Sequence, residues 1–453
     1  MDLTGAPVRR TARSLFQSTA ARLFVLAFAV YNVNLRSITN ADTNPTRYLP
    51  ISIIKEFNLD LDEFPFLLDY PRGGTVEHGT VPHYLRQVDG HYMSTYPVMP
   101  AVLATPVYLV PVLLGLTDGA ASGIGFTQTE VVGTFLSKIA ASLAVALSVG
   151  IVYLSLLWLT DRRSAFWIAL LYAFATSSWS VSSQGLWQTA MSQPLLAAAL
   201  YFLLRGKENE RSLAYAGAAM ALSVACRPPN IIFAVVLSIY VLHAHRGSFV
   251  RFAIAPIGIA ALLIAYNFDY FGTLTGGYSS MIGGPTKLPR WQGLPGLLLS
   301  PSRGLFVFSP FLIFAFAGLG SVLYRRRDLL LTYTAVATVL TVLFYAGWSD
   351  WYGDFSYSYR FLVDLLPGLT LLLAVVYNRL MAEHWRRALF ISFAAFSVLA
   401  QIVGAFFYPC GWYDHSRLGR YWDWRNPEMV SCLMAGPVSP DGLRYVKERL
   451  GRF

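Results

Sequence analysis

Apolar residues in this chain gather into runs of about twenty, long enough to cross roughly 30 Å of hydrocarbon as helices, with short polar links between them. The pattern predicts a first helix over Arg22–Ile38. Later ones follow over Val131–Leu159, Ala165–Trp179, Thr189–Leu204, Leu213–Ala225, Ile231–His243, Phe252–Phe268, Gly304–Tyr324, Leu329–Ala346, Phe361–Tyr377 and Ala388–Phe407. The texture after the first run is different. Thr46–Phe57 mixes apolar and polar residues as a helix lying in a membrane interface does, and a polar, Gly-rich patch spans Arg72 to Gly79. Tyr96–Leu116 is apolar but carries Pro97, Pro100, Pro106 and Pro111. Each proline removes a donor and clashes one turn back, which predicts an irregular segment rather than an uninterrupted helix.

The links carry orientation. Arg9, Arg10, Arg13 and Arg22 precede or open the first helix and place its start in the cytoplasm. Residues 39–96 then form a first outer loop. The clusters Asp161–Arg163, Arg205–Arg211, His243–Arg251, Arg325–Arg327 and Arg379–Arg387 alternate with links poor in Lys and Arg. Putting all of them inside requires the proline-rich run to re-enter, which gives eleven full crossings; the alternative is twelve. The fold class is therefore an all-α polytopic membrane protein with interfacial helices, built as a transmembrane domain over 1–408 and a short outer tail over 409–453.

Composition agrees: 55% of residues are hydrophobic and 13% charged, which excludes an ordinary soluble domain. The net charge of +10 sits largely in the inner clusters, where it meets anionic membrane lipids; it does not imply nucleic acid. Three cysteines without a CxxC signal neither a zinc site nor a disulfide scaffold. Cys410 and Cys432 both fall in the outer tail, where thiols oxidise, and a bridge between them would close a loop of about twenty residues; Cys226 is the alternative partner.

The candidate chemistry begins at Asn40-Ala41-Asp42-Thr43-Asn44-Pro45, where a carboxylate stands at the mouth of a membrane segment. The simpler reading is that Asp42 caps the next helix, with Pro45 in its first turn. The functional one is a general base between a lipid headgroup and a water-borne substrate. Lys138, Arg227, Arg303 and Arg360 lie at helix ends or interiors near the same outer face, where a buried charge costs a few kcal/mol unless paired. Together they suggest a phosphate-binding rim. Arg303 also precedes a helix whose free N–H groups favour an anion. The stretch Trp348 to Arg360 interleaves aromatics with Asp350 and Asp354, residue types suited to the faces and hydroxyls of a sugar. An interfacial aromatic belt explains the aromatics alone, but not the acids.

In their order, Ala41-Asp42, the interfacial segment, Tyr96-Pro97, Ser300-Pro301-Ser302-Arg303-Gly304-Leu305 and Tyr359-Arg360-Phe361 resemble the GT-C superfamily of membrane glycosyltransferases. The likeness is to the bacterial branch related to aminoarabinose–lipid A transferases and protein O-mannosyltransferases. The resemblance implies an enzyme of the bacterial cytoplasmic (inner) membrane, with its active site on the periplasmic or extracellular face. It would move a sugar from a polyprenyl-phosphate donor to a glycan, lipid or protein acceptor hydroxyl, with inversion and with Asp42 as base. Lys138, Arg227, Arg303 and Arg360 would hold the donor phosphate; Tyr96, Asp350, Tyr352, Asp354 and Tyr359 would face sugar or acceptor. A divalent cation (Mg or Mn) would be the cofactor if any, with ligands unknown.

The chain departs from that branch in the first loop. Where relatives have neighbouring acids, Asp42 follows Ala41, and an acid and a lysine before the proline are here Thr95 and Tyr96. Asp69, Glu77, Asp89 or Asp350 could supply a second carboxylate. Two rivals are a flippase or transporter of lipid-linked sugars and a polymerase or ligase of lipid-linked glycans. The first would spread polar residues through the membrane depth, and the second would place a large outer loop late in the chain.

Overall fold

The computed structural model describes residues 6–68, 70–72, 75–77, 81–118, 127–278, 293–348, 350–353, 355–411 and 420–441. Among them the protein is an all-α polytopic membrane protein. Five helices are long and apolar enough to cross a bilayer: Gln128–Leu156, Arg246–Phe271 (its first turn 3₁₀), Leu329–Ala346, Arg360–Ala382 (likewise) and His384–Phe406. Shorter apolar helices accompany them at Ser18–Asn32, Met99–Leu113, Ser212–Cys226, Pro228–Ala244 and Leu312–Arg325. Arg162–Phe174 and Gln188–Gly206 complete the bundle.

Local chemistry explains most boundaries. Gln128–Leu156 starts at a capping box in which Thr127 and Glu130 satisfy each other's backbone donors. Asp161 caps Arg162–Phe174 and Asp328 caps Leu329–Ala346. The first helix stops at Asn32, short of the expected Ile38. Beyond it Leu35 takes a positive φ of 49°, and the strand of chain that follows is held by side chains. Asn34 donates to Gln184 Oε1 at 2.7 Å and to the Ala405 carbonyl at 2.8 Å; Arg36 donates to the Tyr408 carbonyl at 2.9 Å. The helix expected over Gly304–Tyr324 is broken into Leu305–Phe308 and Leu312–Arg325, with Pro310 between them.

The proline-rich run is a correction in the other direction. Met99–Leu113 is one helix, with Pro106 and Pro111 inside it. Pro100 falls in the first turn, where no intrahelical donor is lost, and the apolar run packs alongside the interfacial helix Asn44–Lys55. Both helices begin at the same place, since Tyr96 meets Asp42, and both finish together, where Lys55 pairs with Asp118. The outer loop also holds two antiparallel hairpins, Tyr70–Arg72 with Thr75–Glu77 and Leu85–Val88 with His91–Ser94. The second turns on Asp89-Gly90, both at positive φ (50° and 93°), as a two-residue hairpin loop requires.

The tail is pinned to the helical bundle. Cys410 and Cys432 form a disulfide 22 residues apart in sequence, and Cys226 is buried and free. Inside the Glu428–Ala435 helix, the Glu428 carboxylate lies 2.5 Å from the Arg303 guanidinium, both fully buried. Burial pushes the Glu428 carboxyl up to about 7, against the opposing pull of Arg303. Removing one member of such a pair strands the other as a buried charge, which costs roughly 3–5 kcal/mol. Arg303→Ala should therefore lower the thermal stability of the detergent-purified protein and expose the tail to limited proteolysis, whereas Glu428→Gln, which keeps a neutral acceptor, should do so less. A tail equally protected in both variants and in wild type would show that the pair does not hold it.

Candidate active site

Asp42 lies in a short turn, Ala41–Thr43, that opens into the helix Asn44–Lys55. Asn40 does the capping there: its side-chain oxygen accepts from the Asp42 N–H at 2.9 Å. The Asp42 carboxylate is thus not spent on a helix terminus. One oxygen accepts from Arg360 at 2.6 Å. The other accepts from the Tyr96 hydroxyl at 2.6 Å and lies 3.5 Å from His83 Nε2. With its side chain 19% exposed, burial alone would raise its proton affinity. The Arg360 charge and the hydrogen bonds from His83, Tyr96 and Arg360 outweigh that and hold the carboxyl well below the usual carboxylate range.

Arg360 is positioned as closely as its partner. Its guanidinium centre lies 4.4 Å from the centre of the Trp187 ring, a cation–π contact. Ser358, at φ 59°, redirects the chain two residues before it. Asp42, Tyr96, Arg360 and Trp187 line a cavity of about 270 Å³ together with Arg227, Tyr278, Tyr345 and Asp350. Arg227 enters the wall as half of a buried pair with Asp364 at 2.7 Å, and Asp364 also accepts from Ser192 at 2.7 Å. Asp350 is exposed and accepts from the Tyr352 hydroxyl at 2.8 Å.

Two further hollows meet this cavity. An apolar groove of about 390 Å³ shares Tyr96 and Tyr278 with it and runs between the Ser212–Cys226 and Phe249–Phe271 helices. On another side of Asp42, a second polar cavity of about 270 Å³ is lined by Asn40, His83, Phe355 and Tyr408. The carboxylate therefore lines both polar cavities.

Of the residues singled out from the sequence, Asp42, Tyr96, Arg227, Asp350 and Arg360 come together at the first cavity. Arg303 lies apart, buried against Glu428 and donating to the Tyr352 carbonyl at 2.7 Å. The helix after it is a single turn. Lys138 lies apart too, its ammonium on the Tyr31 and Ser183 carbonyls and Gln184 Oε1. The Tyr359 hydroxyl is buried against Ser309 and the Ser177 N–H. Tyr352 stacks on Tyr421 with ring centres 4.2 Å apart. Asp354, Asp69 and the Glu77 side chain lie outside the described residues, and Asp89 serves the hairpin turn. Sequence reading missed His83, Trp187, Tyr278 and Tyr345. Only His83 carried a signal, as a histidine in the same outer loop as Asp42.

The donor set at the cavity suits an anion better than a divalent cation. Both Asp42 oxygens already accept hydrogen bonds, one from a guanidinium that would repel a metal. Among the described residues, the group of three ligand-type side chains close enough to share an ion is Asp60, Asp62 and His91, with His91 on the second hairpin, apart from this cavity.

No family model and no curated protein sequence matches the chain. Solved structures do. The oligosaccharyltransferase of Archaeoglobus fulgidus, tethered to an acceptor peptide, is 16% identical with a TM-score of 0.50, over 85% of this chain and 54% of that one. The same archaeal protein, AglB, in complex with an inhibitory peptide and a dolichol-phosphate, is 15% identical with a TM-score of 0.50, over 85% and 55%. ArnT of Cupriavidus metallidurans, bound to undecaprenyl phosphate, is 13% identical with a TM-score of 0.48, over 99% and 79%. The chain spans about half the length of the oligosaccharyltransferase. At these identities the likeness is one of fold alone.

Proposed function

We propose that this protein is a membrane glycosyltransferase that moves a sugar from a polyprenyl-phosphate donor to an acceptor hydroxyl at the outer face of a bacterial cytoplasmic membrane. One observation carries the reading: Asp42 lines both a cation-lined cavity and a second polar cavity, and the first of these adjoins an apolar groove through Tyr96 and Tyr278. The groove suits a lipid tail, Arg360 and the Arg227 pair suit its phosphate, and the cavity beside His83 suits an acceptor, whether glycan, lipid or protein. The archaeal protein of like fold has been solved with a dolichol-phosphate, a ligand of the same chemistry.

The chemistry follows from the ion pair. With Arg360 against it Asp42 is a weak base. A donor phosphate entering the cavity competes for the guanidinium, and as the charge of Arg360 turns toward phosphate the proton affinity of Asp42 rises. The acceptor hydroxyl then gives its proton to Asp42 while its oxygen bonds to the anomeric carbon on the face opposite the phosphate. The bond from that carbon to the phosphate oxygen breaks with its electron pair, and the lipid phosphate leaves with its charge on Arg360. The sugar is inverted, and no step requires a metal.

Asp42→Asn should therefore cut sugar transfer by roughly 10²–10⁴-fold while binding a lipid-phosphate analogue at least as tightly as wild type, since the competing carboxylate is gone. The measurement is transfer by purified protein in detergent from a polyprenyl-phosphate sugar. A variant retaining more than about a tenth of wild-type turnover would place the base elsewhere. Arg360→Gln should weaken the donor and change the pH profile as well. Without the guanidinium, burial is no longer offset, so the Asp42 pKa rises and the acid limb of kcat/KM moves to higher pH. A limb that stays in place between about pH 4 and 8 would disconnect Arg360 from the base.

A further inference from the structure

A larger cavity, of about 720 Å³, lies between the helices Ala6–Asn32, Met99–Leu113 and Gln128–Leu156. It shares no lining residue with the cavities at Asp42. Phe28, Leu35, Val131, Phe135, Leu136 and Ile139 make its wall apolar, and Leu35 and Phe135 remain exposed at its rim. At one end the lining changes to Arg36, Ser37, Lys138 and Asp441.

The charges at that end do not balance. Arg36 and Lys138 are 5% and 4% exposed, and among the described residues they donate to neutral acceptors. Arg36 donates to the Phe406 and Tyr408 carbonyls, and Lys138 to two carbonyls and an amide oxygen. The carboxylate lining this end is Asp441, from the tail, which accepts from the Ser37 N–H at 2.7 Å and pairs within 4 Å with neither cation. Among the described residues, two buried cations thus face one acid, and two buried donors, Arg36 Nε and Ser37 Oγ, have no partner. Unmet donors beside excess positive charge are costly in a low-dielectric site, and an anion with several acceptor oxygens would satisfy them. The apolar wall calls for hydrocarbon on the same molecule, and the volume falls within the roughly 300–1,000 Å³ usual for ligand sites.

We propose that this cavity binds a lipid whose phosphate headgroup sits on Arg36 and Ser37, with the Lys138 charge behind them, and whose hydrocarbon chain lies along the wall between the three helices. Asp441 occupies part of the headgroup position and is a built-in competitor, so the tail tunes the site. This stands independently of the transfer chemistry at Asp42.

The test uses the full-length protein in detergent with a photoactivatable phosphatidic acid, and phosphatidylcholine of the same chains as control. Phosphatidic acid should bind at least tenfold more tightly and crosslink within 131–139. Arg36→Gln should abolish that preference, and Asp441→Asn should tighten phosphatidic acid threefold or more. Asp42→Asn should change neither, which separates this site from the proposed active site. Should Arg36→Gln fail to fold, the gain in Asp441→Asn decides alone. Equal affinity for the two lipids in wild type and Asp441→Asn would overturn the proposal. Displacement of the probe by millimolar inorganic phosphate would reassign the site to a soluble anion and overturn it as well.

Discussion

The Asp42–Arg360 ion pair ties together residues 318 positions apart, one in the first outer loop and one at the start of a late helix. A charge that is mostly out of water must be paired, and here both partners are over-determined. Trp187 lies under the guanidinium, and Tyr96 and His83 approach the carboxylate. Those side chains come from the first loop, the link before Gln188–Gly206 and the chain ahead of Met99–Leu113. This end of the bundle is thus held together around one pair of charges. Neither partner alone would be stable in that position.

The same rule sorts the other cations. Near a helix end, Lys138, Arg227, Arg303 and Arg360 look alike in sequence, and one role suggested itself for all. What distinguishes them is the partner. Arg227 meets Asp364, 137 residues on; Arg303 meets Glu428, 125 residues on; Lys138 meets carbonyls. Of these, the Asp42–Arg360 pair lies where cavities converge, and its members are still 19% and 15% exposed, against 1% and 0% for Arg303 and Glu428. Residual access to water is the physical mark of a pair that a ligand can open. No local pattern records it, since it depends on what the rest of the chain leaves uncovered.

Helices were legible where a local signal agreed with burial. Leu329–Ala346 coincides with the range read from the apolar run, and Asp328 caps it. Gln128–Leu156 begins three residues early because Thr127 and Glu130 form a box that hydropathy does not weigh. Errors came where tertiary contacts overrode the run. Asn34 and Arg36 leave the first helix to bond with the chain near 405–408, an attraction invisible in the neighbourhood of Val33. The prolines of 97–116 were over-weighted, because packing on Asn44–Lys55 outlasts two missing hydrogen bonds. The Asp89-Gly90 turn is a local signal, an Asp-Gly pair between two short strands. Of the cavity, the acid and Arg360 could be read from their surroundings. Trp187, Tyr278 and Tyr345 could not, since they sit in aromatic-rich stretches with nothing to single them out.

The tail shows how far the wall of the first cavity depends on distant contacts. The disulfide and the Arg303–Glu428 pair hold the segment that carries Tyr421. Tyr421 stacks on Tyr352 with an interplanar angle of 16°, and its carbonyl accepts from Ser300. Arg303 fixes the Tyr352 carbonyl, and the Tyr352 hydroxyl in turn fixes Asp350 at the cavity wall. A chain of packed rings and hydrogen bonds therefore runs from the buried pair under the tail to an acid facing the first cavity. Arg303 lies outside that cavity, yet its charge is spent on the geometry of the wall. A residue read as a ligand for phosphate is thus better understood as the anchor of the surface that a substrate would meet.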